Sequence, residues 1–378
     1  MNTKLVYVLT CAPEKNYIEQ ALLSVFTTRH YNPSANIILI VDDQTNTLLI
    51  GKREEILNYT SEKIVVNLDP ALSMMDKSRW LKTSVRNLVK GDFLFIDCDT
   101  LITQSLNEID ECEYPVAAVP ESHLPIKKFN QHLYDKVDRL SSKLGWNIEE
   151  EQYYFSSGVI YVKDLPQNYE LFDKWHTYWK EGCEKGVSID QPSFAKANIQ
   201  MNRPVKILDG IWNCVMYTHE AFAYSSKILH FCSFRNMSYV FEDRFLEKVK
   251  QEGIERNEFV KFSILNPYKT FIPFENVIYN YKMKDHFLLF KDIRGISKLV
   301  FENLGADFDD YIGKTRVESV AKSLLKNKYF RIGALLMTAY KFYRVKLNKN
   351  YKYVSNTCAD NTTTPLLEAR VSRNRALE

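Results

Sequence analysis

The 378-residue chain has no C-x-x-C pair, and its seven cysteines (Cys11, Cys98, Cys112, Cys183, Cys214, Cys232 and Cys358) form an odd, scattered set. That argues against a disulfide framework and against a zinc ribbon, and leaves buried free thiols in a reducing compartment as the plain reading. No segment approaches the about 20 consecutive apolar residues of a membrane span. The opening "MNTKLVYVLTCAPEKNY" holds only a short apolar run before Glu14 and Lys15, too brief for a secretory signal and better explained as a strand. Internal repeats and low-complexity segments are also absent. The expectation is a cytoplasmic protein that is not integral to a membrane.

Charge is unevenly spread. Residues 314 to 352 carry eleven lysines and arginines against Glu318 alone, a local charge of +10 that leaves residues 1 to 313 at −7. An acidic body joined to a basic segment suggests different partners for the two parts. The basic stretch contains no recognisable nucleic-acid reading module, so nucleic acid is not expected as a partner. Tyrosines and phenylalanines are abundant, 23 and 22, which suits a large core and also surfaces that bind sugars or bases.

Short apolar runs alternate with helical patterns. "LVYVL" (5–9), "IILIV" (37–41), "KIVVN" (63–67) and "FLFI" (93–96) read as strands, and further strands are expected at 114–119, 159–162 and 227–229. Ile18, Ala21, Leu22, Val25 and Phe26 have the spacing of an amphipathic helix, as do Leu81, Val85, Leu88 and Val89 in a helix over 77–89. Leu171, Trp175, Tyr178 and Trp179 mark another. Strands without alternation, separated by helices, predict an α/β fold with a mostly parallel sheet covered on both faces. Ligands of such sheets bind beyond the carboxyl ends of the strands, where Asp42, Asp97 and Asp99 fall. The alternation fades near residue 250, which divides the chain into a catalytic domain (1–250), an extension (251–313), a basic amphipathic helical segment (314–353) and a tail read as disordered (354–378).

"FLFIDCDT" ends a strand on two aspartates one residue apart. A D-x-D triplet alone is weak evidence, and Asp307-Phe308-Asp309 reads as a solvated loop. Asp97 and Asp99 differ because their strand aims them at the ligand crevice, where hard oxygen ligands suit magnesium or manganese and a substrate phosphate. A plainer alternative is that Asp99 caps a helix while Asp97 accepts backbone hydrogen bonds. Two enzyme classes use such a pair: dehalogenase-type phosphatases, in which the first aspartate is the nucleophile, and metal-dependent glycosyltransferases. In the first, Thr100 would stand one residue early and the motif would lie unusually deep in the chain. A non-catalytic nucleotide- or glycan-binding domain is the remaining alternative.

Six segments, in order, resemble family 8 of the glycosyltransferases: "EKNYIEQALLSVF", "SRWLK", "FLFIDCDTLITQSLNEI", "YYFSSGVIYV", "SIDQPSFAKA" and "KILHF". The resemblance covers about the first 240 residues and implies a GT-A fold, Rossmann-like, with a mainly helical C-terminal extension. It implies that Asp97, Asp99 and His230 hold Mn2+ or Mg2+, and that a UDP-sugar is the donor. Asn16 and Tyr17 would meet the nucleoside, Arg79 would span the diphosphate and sugar, and Asp190 and Gln191 would line the sugar, with Gln191 beneath the anomeric carbon. Ser156 stands where the family usually has an asparagine beside the donor sugar. Arg235, in "HFCSFRN", stands in for the family's diphosphate-clamping lysine. Without the resemblance each has an ordinary reading: Tyr17 a hydrophobic staple, Arg79 a surface charge, His230 a satisfied histidine, Asp190 the cap of a helix starting at Gln191. The implied activity is transfer of galactose or glucose, with retention of configuration, to a glycan or glycolipid acceptor in bacterial surface polysaccharide or lipopolysaccharide synthesis.

In the basic segment, Val317, Val320, Leu324, Ile332, Leu335 and Leu336 fall largely on one helical stripe bordered by lysines and arginines. That pattern fits first a helix lying on an anionic membrane surface, peripheral on the inner face of the plasma membrane, and as the alternative a helix packed on the catalytic domain. If the membrane is its partner, truncation before Lys314 abolishes sedimentation with anionic vesicles and spares donor hydrolysis, and salt weakens binding of the full chain. Equal sedimentation of both forms would return the segment to a structural role.

Overall fold

The computed structural model describes residues 1–215, 225–231 and 243–267. Arg235, Cys232, Cys358, Asp307–Asp309, the basic segment and the tail lie outside the described residues. In chain order the elements are β1 (Lys4–Leu9), α1 (Tyr17–Tyr31), β2 (Ile37–Asp42), α2 (Asp43–Thr47), β3 (Glu62–Val66), α3 (Met74–Thr83), α4 (Val85–Leu88), β4 (Phe93–Ile96), β5 (Thr100–Ile102), β6 (Val116–Pro120), α5 (Gln131–Leu144), β7 (Phe155–Val162), α6 (Pro166–Glu184), α7 (Gln191–Gln200), β8 (Val205–Ile207), β9 (Cys214–Val215), β10 (Ile228–His230), α8 (Asp243–Glu252) and α9 (Glu258–Leu265).

Seven strands form the main sheet in the order β3-β2-β1-β4-β7-β6-β8. Its pairings are parallel except that β7 runs antiparallel to β4 and to β6. The expected class, a Rossmann-like and mostly parallel sheet flanked by helices, is the one observed. Both faces of the central strands are buried, which is why their sequences do not alternate. Val6, Val8, Ile38, Ile40, Phe93 and Phe95 face a cluster with Leu81, Val85, Leu171, Phe172, Trp175 and Phe194 from α3, α4, α6 and α7. On Tyr7 the pleat turns the other way, and its hydroxyl meets Thr28 Oγ1 of α1 at 2.6 Å. A second sheet, β5-β10-β9, stands beyond the end of β4.

The helix expected over 77–89 is two helices. Ser84, at φ −100° and ψ 2°, separates α3 from α4, and the hydroxyls of Thr83 and Ser84 meet His176 Nδ1 at 2.7 and 3.2 Å. The Thr83 hydroxyl also lies 2.8 and 3.2 Å from the Arg79 and Trp80 carbonyl oxygens, local bonding of the kind that competes with the helical ladder. Asp42 is a cap and not a crevice ligand: its Oδ1 accepts from Thr45 N at 3.2 Å, and Lys77 Nζ lies 3.6 Å from Oδ2. Of the described cysteines, Cys11 and Cys214 are buried and none is in a disulfide.

Trp175 links this core to what lies above it. Fully buried, it packs on Phe172 and Phe194 with centroids at 5.3 and 4.7 Å, and its Nε1 donates to Asp190 O at 2.8 Å. Trp175→Ala is expected to lose about 3–5 kcal/mol of stability in urea denaturation, whereas Lys180→Ala on the exposed face of α6 stays within about 0.5 kcal/mol. A loss below about 1 kcal/mol for Trp175→Ala would show that this cluster is not the core.

Candidate active site

β4 ends at Ile96, and the next three residues leave the sheet. Asp97 N still donates to Gly158 O of β7 at 2.9 Å. Thr100 opens β5, which pairs antiparallel with β10 so that His230 lies opposite Thr100, and Phe231 N donates to Asp99 O at 2.9 Å. Backbone pairing therefore carries a histidine from 130 residues downstream to the D-x-D turn. His230 Nε2 is 3.1 Å from Asp99 Oδ1 and 4.0 Å from Asp97 Oδ2. One ligand atom from each of the three lies within 4.8 Å of the others, close enough to share one ion.

The imidazole's hydrogen bonds favour that use. Asn213 is fully buried, its Nδ2 donates to Ser156 Oγ at 3.0 Å, and its Oδ1 is 2.9 Å from His230 Nδ1. With the amide oriented this way, Nδ1 carries the proton and donates to Asn213. The Nε2 lone pair is then turned toward carboxylate oxygens, a repulsive arrangement unless a proton or a metal ion lies between them. A second hydrogen bond that sets the tautomer is the usual support of a metal-bound histidine. The donor set, two carboxylates and one imidazole, fits Mn2+ or Mg2+.

Arg79 and Asp190 meet on the other side of Asp97. Arg79 Nε is 2.9 Å from Asp190 Oδ1, and Lys82 Nζ is 3.4 Å from Asp190 Oδ2. Lys82 also donates to both oxygens of Asp97, at 3.0 and 3.2 Å. Burial acts to raise the Asp190 carboxyl, but Lys82 and Arg79 outweigh it and hold it far below the ordinary carboxylate range. Burial pushes Asp97 up, opposed by Lys82 and His230. Asp190 pulls Arg79 further up against its own burial, and the Tyr17 ring of α1 is among the groups that act on it.

Asp190 was open to reading as a helix cap. Its side chain makes no capping bond; its backbone carbonyl is the busy group, accepting from Trp175 Nε1, Ser193 Oγ and Phe194 N. Gln191 begins α7, and its Nε2 donates to Glu121 Oε2 at 2.9 Å and Phe155 O at 3.0 Å, which leaves Oε1 as the uncommitted atom of the amide. Ser156 Oγ is buried and takes hydrogen bonds from Asn213 and from Gly158 N. Asn16 precedes α1, and its Oδ1 is buried with no hydrogen-bond partner. The structure thus brings Asp97, Asp99, His230, Arg79 and Asp190 together, and sets Gln191 directly after Asp190.

Four contributors escaped the sequence reading: Lys82, Asn213, Glu121 and Gly158. Lys82 stands three residues after Arg79, one helical turn on, which was its available signal. Gly158 is required by close approach. A methyl group there would collide with the His230 ring and come within 3.1 Å of Asp97 Oδ2.

No protein-family model matches the sequence, and no curated protein matches it. Solved structures similar to the chain include glycosyltransferases. Mouse xyloside xylosyltransferase 1 in its apo form is 12% identical, with a TM-score of 0.43 over 62% of this chain and 98% of that one. The galactosyltransferase LgtC, solved with donor and acceptor sugar analogs, is 14% identical, with a TM-score of 0.45 over 66% and 96%. The glycosyltransferase GlyE of Streptococcus pneumoniae TIGR4 is 14% identical, with a TM-score of 0.41 over 71% and 63%. Likeness this faint carries no chemistry across, and the residues themselves must supply it.

Gly158→Ala tests the geometry. Displacing His230 should weaken Mn2+ binding at least tenfold by calorimetry, with the overpacking also costing about 1–3 kcal/mol of stability. Unchanged Mn2+ affinity in the folded variant would remove His230 from the ligand set.

Proposed function

We propose that the chain is a metal-dependent glycosyltransferase that moves a hexose from a UDP-sugar to a glycan or lipid-linked acceptor. The observation that carries this reading is the convergence, at the C-terminal end of β4 and the start of β7, of a three-ligand cation site with the Arg79–Asp190 ion pair, the carboxylate of which is buried and is followed directly by Gln191. Mn2+ or Mg2+ held by Asp97, Asp99 and His230 would act as a Lewis acid on the departing diphosphate. Arg79, partly exposed and paired with Asp190 at 2.9 Å, keeps a guanidinium fixed where bidentate phosphate contact is useful. Asp190 stays ionised and offers its remaining lone pairs to sugar hydroxyls. The unpaired Asn16 Oδ1 is an acceptor for a nucleoside N–H or hydroxyl, with Tyr17 as the stacking ring.

The Gln191 side chain supports transfer with retention by front-face attack. Its two N–H bonds point into the protein, so a carbonyl oxygen is presented without being a strong nucleophile. Such a dipole stabilises positive charge developing at the anomeric carbon, while the departing phosphate accepts the acceptor's proton. Galactose or glucose as the sugar, a role in bacterial surface polysaccharide, and Arg235 as a diphosphate contact belong to the same proposal and rest on the sequence resemblance. Among the described residues no helix is long and apolar enough to cross a membrane, and the membrane role proposed for residues 314–353 is a surface one.

Incubation of the purified protein with Mn2+ and a panel of nucleotide sugars should reveal slow hydrolysis of one UDP-hexose. Chelator and Asp97→Asn should each abolish it. Gln191→Ala should lose about 1–3 kcal/mol of transition-state stabilisation with UDP affinity nearly unchanged. Release of phosphate from simple monoesters, with no donor hydrolysis, would favour a phosphatase using Asp97 as nucleophile.

A further inference from the structure

Lys82 has no part in the chemistry described above, yet it is the most committed cation of the site. Its side chain is 4% exposed. The ammonium bonds both oxygens of Asp97, at 3.0 and 3.2 Å, reaches Asp190 Oδ2 at 3.4 Å, and stands 5.1 Å from the centroid of the Phe95 ring. A lysine is seldom buried unless paired, and here its pairing is shared between the cation site and the sugar-lining carboxylate.

That sharing has a consequence for the order of events. The carboxylate a divalent ion needs is already engaged on both oxygens, and a positive charge remains beside it. An ion arriving alone meets a partly neutralised ligand set and the repulsion of the ammonium, in surroundings that screen poorly. A diphosphate arriving with the ion supplies the missing negative charge. The ammonium then keeps Asp190 as its partner. We infer that Lys82 is a positioning counter-ion that couples the divalent cation to the donor's diphosphate, so that the ion binds with the nucleotide and not ahead of it. This rests on the assignment of Asp97, Asp99 and His230 as the cation site. Such coupling is reciprocal: the ion must raise UDP affinity by the same factor as UDP raises the ion's.

Calorimetric titration of Mn2+ into the full-length protein, with and without UDP, tests this in the wild type, Lys82→Met and Lys82→Arg. Lys82→Met should bind Mn2+ alone at least tenfold tighter than the wild type, and the enhancement by UDP should shrink at least fivefold. Mn2+ should also raise the Tm of Lys82→Met more than that of the wild type. Lys82→Arg, which keeps a positive charge beside the ligand set, should bind Mn2+ alone no tighter than the wild type. A merely structural lysine predicts the opposite, Mn2+ binding to Lys82→Met that is equal or weaker, and that result overturns the inference alone. Absence of Mn2+ binding to every form, with or without UDP, would overturn the cation site and this inference with it. Should Lys82→Met fail to fold, Lys82→Gln makes the same comparison, and wild-type Mn2+ affinity unmoved by UDP refutes the coupling without any variant.

Discussion

Three carboxylates crowd one end of the sheet, and the rest of the site is organised by the need to keep them there. Asp97 and Asp99 come from one turn after β4 and Asp190 from the residue before α7, and Asp190 is almost fully buried. Like charges this close are unfavourable, and a buried carboxylate without a partner costs several kcal/mol. Arg79 and Lys82, one turn apart on α3, answer two of the three. That pairing explains why a helix with charged residues is drawn into the interior: Leu81 holds α3 to the core with Trp80 partly buried beside it, and the two cations on either side of Leu81 face the carboxylates. The remaining charge, on Asp99, faces His230. Lys82 is shared between Asp97 and Asp190, so its removal weakens the pairing of both carboxylates at once, and the site is cooperative in its electrostatics before any ligand enters.

Backbone pairing does the positioning that side chains cannot. A metal-type triad needs residues from distant parts of the chain at a tolerance of a few tenths of an ångström. The three short strands of the second sheet meet it by ladder register: His230 is opposite Thr100 and beside Val215. Ser24 Oγ, 2.7 Å from Thr100 Oγ1, ties that sheet to α1. Gly158 leaves room for the imidazole on the neighbouring strand, and the Asn213 amide sets its tautomer. Each of these residues acts on the ligand set through another, which is why their types, Ser, Gly and Asn, look unremarkable one by one.

Legibility in the sequence followed the physics. β1, β2 and β4 were readable because burial on both faces leaves unbroken apolar runs, and α6 because its tryptophans repeat at helical spacing. β5 and β9, of three and two residues, bury too little to leave a pattern. α5, between β6 and β7, did leave one in Leu133, Val137, Leu140 and Leu144, but it serves a separate small cluster around Trp146 and Tyr154. The aspartates and His230 were legible through position beyond strands and order along the chain. Lys82 and Glu121 were not, because a charge reads as solvated until the carboxylate or amide that meets it is known.

The spacing of the two aspartates follows from the same geometry. In extended chain, residues two apart point to the same side, so a D-x-D turn can aim both carboxylates at one ion while the middle residue points back at the sheet. Cys98 does so: its Sγ donates to Val8 O of β1 at 3.2 Å. Burial and the two flanking carboxylates push its thiol well above the ordinary value, which keeps it protonated and chemically quiet between them. A charged or bulky residue between the aspartates would have to displace β1 or turn the pair apart. A core strand can end on two aspartates because the residue between them still belongs to the core.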